Sequence, residues 1–380
     1  MFATLQNRPL ALHTPLGVDA LLLTHFRGST ALAQLFQFEL DLRAASPGIA
    51  AFDKVLGQPA CVRVQQVDGS HAFFHGLISL LERVGQDTTH VHYRALLVPR
   101  LWLLTKKIQS RIFQQQAVPD ILQTIFEPLR PDLEFKLQNR DDYLPRNYCV
   151  QYRESDFAFA SRLMEEEGLY YYFEHSDKGH KLIVTDSHNL LPAPAELATL
   201  KYAESAGENP EFVRLTSWRK RQEVGSGSFT LWDQCFELAN APGQGFQTLE
   251  AKKNIADAVK AGIVDHPLNL SVSDALEVYD GQAGYAKCFD GIDAAGKEQA
   301  DSLTRIFDSA SHRAQRRAEA EAAACFRTGG NSNCALLAPG QKFQLAGQLD
   351  IAGQYYLTRV EHEARAGHDR SGGELPFEYR

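Results

Sequence analysis

The residues of this 380-residue chain that could do chemistry are its histidines, carboxylates, cysteines and one glycine-serine run. Their spacing argues against most reactions. Glu361-His362-Glu363 and His368 lack the two histidines four apart that a zinc-protease helix needs, and read as polar strand and loop. GSGS, from Gly225 to Ser228, lacks the G-x-S-x-G order of a nucleophile elbow and reads as a hairpin turn. No G-x-x-x-x-G-K-[ST] run occurs, so nucleotide hydrolysis has no support. His71, His75, His90 and His92 could meet on two strands as metal ligands, although scattered surface histidines are the plainer reading. Glu165, Glu166 and Glu167 invite comparison with a glycosidase pair, whose carboxylates face each other about 5 to 9.5 Å apart. Consecutive helical residues point about 100° apart, so such a pair would need a partner from elsewhere. Cys61, Cys149, Cys235, Cys288, Cys325 and Cys334 contain no C-x-x-C pair and read as reduced, mostly buried thiols. No catalytic residue, metal or cofactor is expected.

The acidic triplet sits in the stretch around which the chain is organised, Tyr148 to His175. Tyr148, Val150 and Tyr152 alternate with Cys149 and Gln151, the period of a strand. Ser155 or Asp156 can cap a helix, and Phe157, Phe159, Ala160, Leu163 and Met164 then share one side of it. Gly168 suits the left-handed residue that ends a helix. Leu169 to Phe173 follow as a strand with bulky groups on both faces, which predicts burial of both. The triplet therefore falls in the last helical turn, where the dipole disfavours anions. Compensation is expected from basic residues of the same fold or of a neighbouring chain, with Arg153, Arg162 and the run Arg219 to Arg221 as candidates. A solvated acidic helix end is the alternative.

Composition bounds the rest. A chain that is 44% hydrophobic and 23% charged is an ordinary globular protein of about two to four domains. A net charge of -8 argues against a general nucleic-acid binder. The N-terminus lacks a signal-peptide pattern and no apolar run is long enough to span a bilayer, so synthesis in the cytoplasm is expected. Residues 1–102 read as a first β-barrel of short alternating strands, and residues 103–205 as an α+β subdomain. Residues 206–240 and 326–380 read as a second, split β-barrel. Residues 241–325 form a mixed insert ending in a helix from about Ser309 to Cys325. The two barrels are linked by an internal repeat: LGQPACVRV then FFHGLISLLERV early on, PGQKFQLAG then YYLTRVEHEAR near the end. The expected fold class is thus mainly β: two antiparallel barrels related by a pseudo-repeat, with α+β insertions.

RESDFAFASRLMEEEGLYYYFEH, with LGQPACV, FFHGLI and LAPGQKFQLAG, resembles the VgrG family, the spike proteins of type VI secretion. That family is similar to the baseplate hubs of contractile phage tails. The resemblance implies a structural hub without enzymatic activity. It implies a homotrimer whose six barrels adapt a hexameric tube protein to a threefold needle, with baseplate components and needle-borne or adaptor-bound effectors as partners. It also implies secretion through the type VI apparatus. Family members continue into an OB-fold and a β-helical needle, whereas here PFEYR falls in what should be the last strand of the second barrel. A hub without its spike is therefore expected. A phage tail hub is one alternative, and a polysaccharide-acting or carbohydrate-binding β-protein is one of another class.

Overall fold

The computed structural model describes residues 8–17, 20–49, 52–66, 68–194, 199–202, 213–233, 249–254, 275–281, 284, 288, 300–346, 353–366 and 378–379. Strands β1 (Leu10–His13), β2 (Leu22–Ala31), β3 (Gln37–Ala45), β4 (Pro59–Gln65), β5 (His71–Gln86) and β6 (His90–Val98) come first. A mixed region follows: β7 (Ile108–Gln116), α1 (Val118–Ile125), β8 (Leu133–Lys136), β9 (Arg146–Ser155), α2 (Asp156–Glu167), β10 (Tyr170–His175) and β11 (His180–Thr185). Next are β12 (Thr199–Tyr202), β13 (Arg214–Leu215), β14 (Arg219–Gln222), β15 (Ser228–Asp233), β16 (Leu249–Asn254) and β17 (Glu277–Asp280). The last elements are α3 (Ala300–Cys325), β18 (Phe326–Gly329), β19 (Lys342–Ala346), β20 (Gly353–Tyr356), β21 (Arg359–Arg365) and β22 (Glu378–Tyr379).

Alternation builds the largest sheet. Along β3, Phe38, Leu40, Leu42 and Ala44 are buried, while Gln37, Glu39, Asp41 and Arg43 take the other face. Eight strands pair in the order β1-β4-β5-β6-β3-β2-β21-β22, each ladder antiparallel. Bulges at Leu23/His25, Ile78/Leu80 and Arg83/Gly85 sharpen the twist, and the sheet curls into a half-barrel. Phe26, Phe36, Phe38 and Phe74 fill its hollow with ring centroids 4.9 to 5.3 Å apart. The molecule is mainly β, as its alternation predicts.

The α+β region packs on this core. The Ser155 side chain accepts the Ala158 N–H at 3.0 Å, so Ser155 rather than Asp156 is the cap of α2. Phe159, Ala160, Leu163 and Met164 are buried, and Phe157 is partly so. Gly168 ends α2 at φ 72°, and the Leu169 N–H closes back to the Met164 carbonyl at 2.8 Å. Tyr171, Tyr172 and Phe173 of β10 are all buried, so both faces of that strand are core. In the second half, α3 begins at Ala300, earlier than the Ser309 expected. Ile306, Ala310, Ala314, Ala318 and Ala322 lie four apart and press one narrow stripe onto Phe229, Leu231 and Ala251. The sheet β13-β12-β19-β20 is mixed, parallel on both sides of β12 and antiparallel between β19 and β20.

Three sequence readings meet a different arrangement. GSGS is no hairpin turn: β14 pairs with β18, whereas β15 pairs with β16 and β17, so the run links two sheets. Glycine is needed at Gly225 because a Cβ there would lie 2.3 Å from the Cys325 Sγ. Glu361-His362-Glu363 is a strand, but its histidine is core, 2% exposed against Phe26, Phe38 and Phe74. Finally, Arg359–Arg365 falls in the span read as the second barrel, yet its ladder partner is β2 of the first sheet, in register from His25↔Arg365 to Ala31↔Arg359. Hydrogen-bond pairing between strands this far apart leaves no mark in local alternation. His368 and Cys235 lie outside the described residues.

Candidate functional site

The acidic helix end is met from within the chain. Arg146, on β9, is 4% exposed and reaches Glu166 at 2.8 Å and Glu167 with its second nitrogen. Arg313 of α3, itself buried, lies 3.4 Å from Glu166 and 3.9 Å from Glu167. Arg317, one turn further along α3, pairs with the exposed Glu165 at 2.6 Å. The His312 ring nitrogen meets the Glu167 carbonyl at 3.2 Å, supplying a partner for the helix C-terminus. Burial disfavours the Glu166 charge, but Arg146, Arg313 and Arg162 outweigh it and hold the carboxyl below its usual range.

Of the basic residues expected to meet the triplet, Arg162 does so, 3.5 Å from Glu166 one turn away. Arg153 instead stacks over Tyr152, and Arg221 pairs with Glu223. Arg146, Arg313 and Arg317 were not anticipated. The signal open to sequence reading was weak: Arg313 and Arg317 sit four apart in a helical segment, so they share a face. Gly168 shows how tightly the two helices meet, since a Cβ there would come 2.4 Å from the Cδ of Arg316.

A second polar cluster lies where the half-barrel meets β10 and β11. The Arg100 N–H donates to His180 Nε2 at 3.0 Å, which puts the His180 proton on Nδ1, aimed at His75 Nδ1 3.1 Å away. The His75 N–H in turn donates to His175 Nδ1 at 3.1 Å. His175 is half-buried as a residue, yet its Nε2 is shut off from solvent and has no protein partner among the described residues. It borders a cavity of about 20 Å³, room for one water, lined also by Thr30, Phe74, Phe173 and His362. Burial holds all four histidines below the ordinary imidazole value, His180 and His362 down to about 3. Neutral imidazoles are what this hydrogen-bond chain requires, because a proton on His75 Nδ1 would face the one on His180.

The histidines considered as metal ligands are not gathered. His75 belongs to this interior chain, while His90 and His92 bind Thr89 and Asp87 at an exposed turn. His71 packs beside Phe73. Among the described residues no group of three or more His, Cys, Asp or Glu side chains could hold a metal ion. Nor is any described helix long and apolar enough to cross a membrane.

Both clusters tie segments distant in sequence. Over 278 residues the chain is 35% identical to the type VI secretion system spike protein VgrG1b of Pseudomonas aeruginosa, covering 73% of this chain. It spans 36% of the length of that relative. Among solved structures, the E. coli c3393 protein, described as a type VI secretion component similar to T4 phage tail proteins gp27 and gp5, superposes with a TM-score of 0.60. The match is 17% identical and covers 96% of this chain and 74% of that one. The 43 kDa tail protein of prophage MuSo2 from Shewanella oneidensis gives 0.57 at 11% identity, covering 93% of this chain and 94% of that one. Residues 29–368 match the phage tail baseplate hub (GPD) family, and a match running through every sheet described above means that the chain belongs to that family.

Proposed function

We propose that this chain forms the hub of a type VI secretion spike and acts by geometry alone, with no catalytic step. The observation carrying this reading is the family match over residues 29–368 combined with the VgrG1b likeness. In this reading three copies close into a ring, each offering two β-modules. Six near-equivalent surfaces then meet a hexameric tube protein, so a threefold body caps a sixfold one. Effectors carried by a needle or an adaptor would be partners of the whole spike, which would leave the cell through the apparatus. The two modules rest on the likeness in sequence between LGQPACVRV with FFHGLISLLERV and PGQKFQLAG with YYLTRVEHEAR. A hub of a phage-derived tail is the second reading, favoured by the match of residues 29–368 to the phage tail baseplate hub family. The carbohydrate reading loses its acid pair, because Glu166 and Glu167 are committed to Arg146 and Arg313.

Light scattering of the purified chain, alone and with the tube protein from the same genome, tests the proposal. A trimer that caps tube rings is expected. A chain that ignores the rings at every concentration would overturn the hub reading.

A further inference from the structure

The imidazoles where the half-barrel meets β10 and β11 fix where their protons lie. A neutral ring carries one proton, so a nitrogen that accepts leaves the proton on the other. His180 accepts the Arg100 N–H at Nε2 and therefore donates from Nδ1 toward His75 Nδ1, 3.1 Å away. His175 accepts the His75 N–H at Nδ1, so its own proton sits on Nε2. That Nε2–H is shut off from solvent, and no protein group among the described residues accepts it. A stranded buried donor costs about 1 to 3 kcal/mol. Buried polar groups are almost always paired, with ordered water where protein cannot reach.

The cavity beside His175 has what a water needs. Its volume of about 20 Å³ exceeds the ~10–15 Å³ that one water occupies on this measure. Two further polar side chains line it, Thr30 at 7% exposure and His362 at 2%. Thr30 Oγ1 lies 3.5 Å from His362 Nε2, a long contact for a hydroxyl. A hydroxyl has one proton and two lone pairs, so it can point that proton at the ring and still accept another. Cavities walled by apolar groups alone stay dry, whereas this one brings a stranded N–H and a hydroxyl oxygen to the same small space.

We propose that this cavity is a site for one ordered water, which accepts from His175 Nε2–H and donates to Thr30 Oγ1. His175 belongs to β10, Thr30 to β2 and His362 to β21. The water thus ties β10 to the β2–β21 ladder. Phe74 and Phe173 also line the space, and their burial alone has no direction. The bridged hydrogen bonds supply one, nearly as well as direct bonds would. The site concerns a single chain and stands apart from the hub reading.

A high-resolution crystal structure of the wild-type chain near pH 7.5 tests this. One ordered water is expected within about 2.7 to 3.2 Å of both His175 Nε2 and Thr30 Oγ1. Nitrogen-15 imidazole spectra of the same protein should show His175 as the Nε2–H tautomer. Thr30→Val, which keeps the side-chain shape and removes the hydroxyl, is expected to lose the water and lower the melting temperature; Thr30→Ser is expected to keep both. A dry cavity, a protein acceptor on His175 Nε2 or a proton on His175 Nδ1 overturns the proposal. A water still fully occupied in Thr30→Val overturns the bridge to β2. Should that variant fail to fold, the wild-type map and spectra decide alone.

Discussion

Arg146 decides how the acidic end of α2 is tolerated. Replacing a buried charge partner strands the other charge, which typically destabilises by about 3 to 5 kcal/mol. Arg146→Met leaves Glu166 and Glu167 to Arg313 and Arg162 and is expected to lose stability on that scale in chemical denaturation. Glu165→Gln removes an exposed pair and is expected to change it by less than about 0.5 kcal/mol. The histidines predict an acid limit that sets in at higher pH than that of the carboxylates. His180 is held near 3 by burial first, then by His75 and Arg100, and His362 by burial. Unfolded imidazoles take up protons near 6.5, so stability is complete above that pH and declines as pH falls from about 6.5 toward 3. By pH 5.5 the loss is about 1 kcal/mol per histidine. The melting temperature should fall between pH 7.5 and 5.5, and His362→Phe should flatten that fall; a flat wild-type profile would refute the assignment. Glu166, held low by its arginines, gives way only as pH drops below about 4.5. At this scale the sequence showed that three glutamates break a dipole rule. It could not show which arginines answer them, because Arg146 and Arg313 come from separate elements.

The helix α2 was legible almost whole, since its caps and its stripe are local. Ser155, the apolar positions and Gly168 each do what their residue types predict. Gly168→Ala forces a side chain into the left-handed region, at about 1 to 2 kcal/mol, and also into Arg316. A drop of several degrees in melting temperature is expected, together with a shift of α3 away from α2 in a crystal structure. Elements defined by distant partners were less legible. GSGS looked like a hairpin because turn chemistry is local, whereas β14 and β15 find their partners in β18 and in β16 with β17. His362 looked polar by composition and is core by position, since alternation along β21 puts it on the same face as the buried Ala364.

The whole molecule is held by the return of β21 to the first sheet. That pairing buries Ala364 and His362 and gives β2 its second neighbour. A chain ending before Arg359 would open the β2 edge and uncover Phe26 and Phe74. Loss of soluble protein, with aggregates by light scattering, is the expected outcome. The half-barrel itself was readable from period-2 alternation, but the strand that completes it was not, because alternation does not name a partner. The β2–β21 pairing also bears on how force would pass through the molecule. Tension that reaches Arg365 is taken up by a ladder lying antiparallel to β2, with His25 opposite Arg365 and Ala31 opposite Arg359. Pulled along the strand axis, those hydrogen bonds share the load and must slip together; pulled sideways, they open one at a time from Arg365. The first sheet thus bears any such pull directly, without passing it through the insert that separates β14 from β18, and the direction of pulling sets whether the joint acts as an anchor or as a zip.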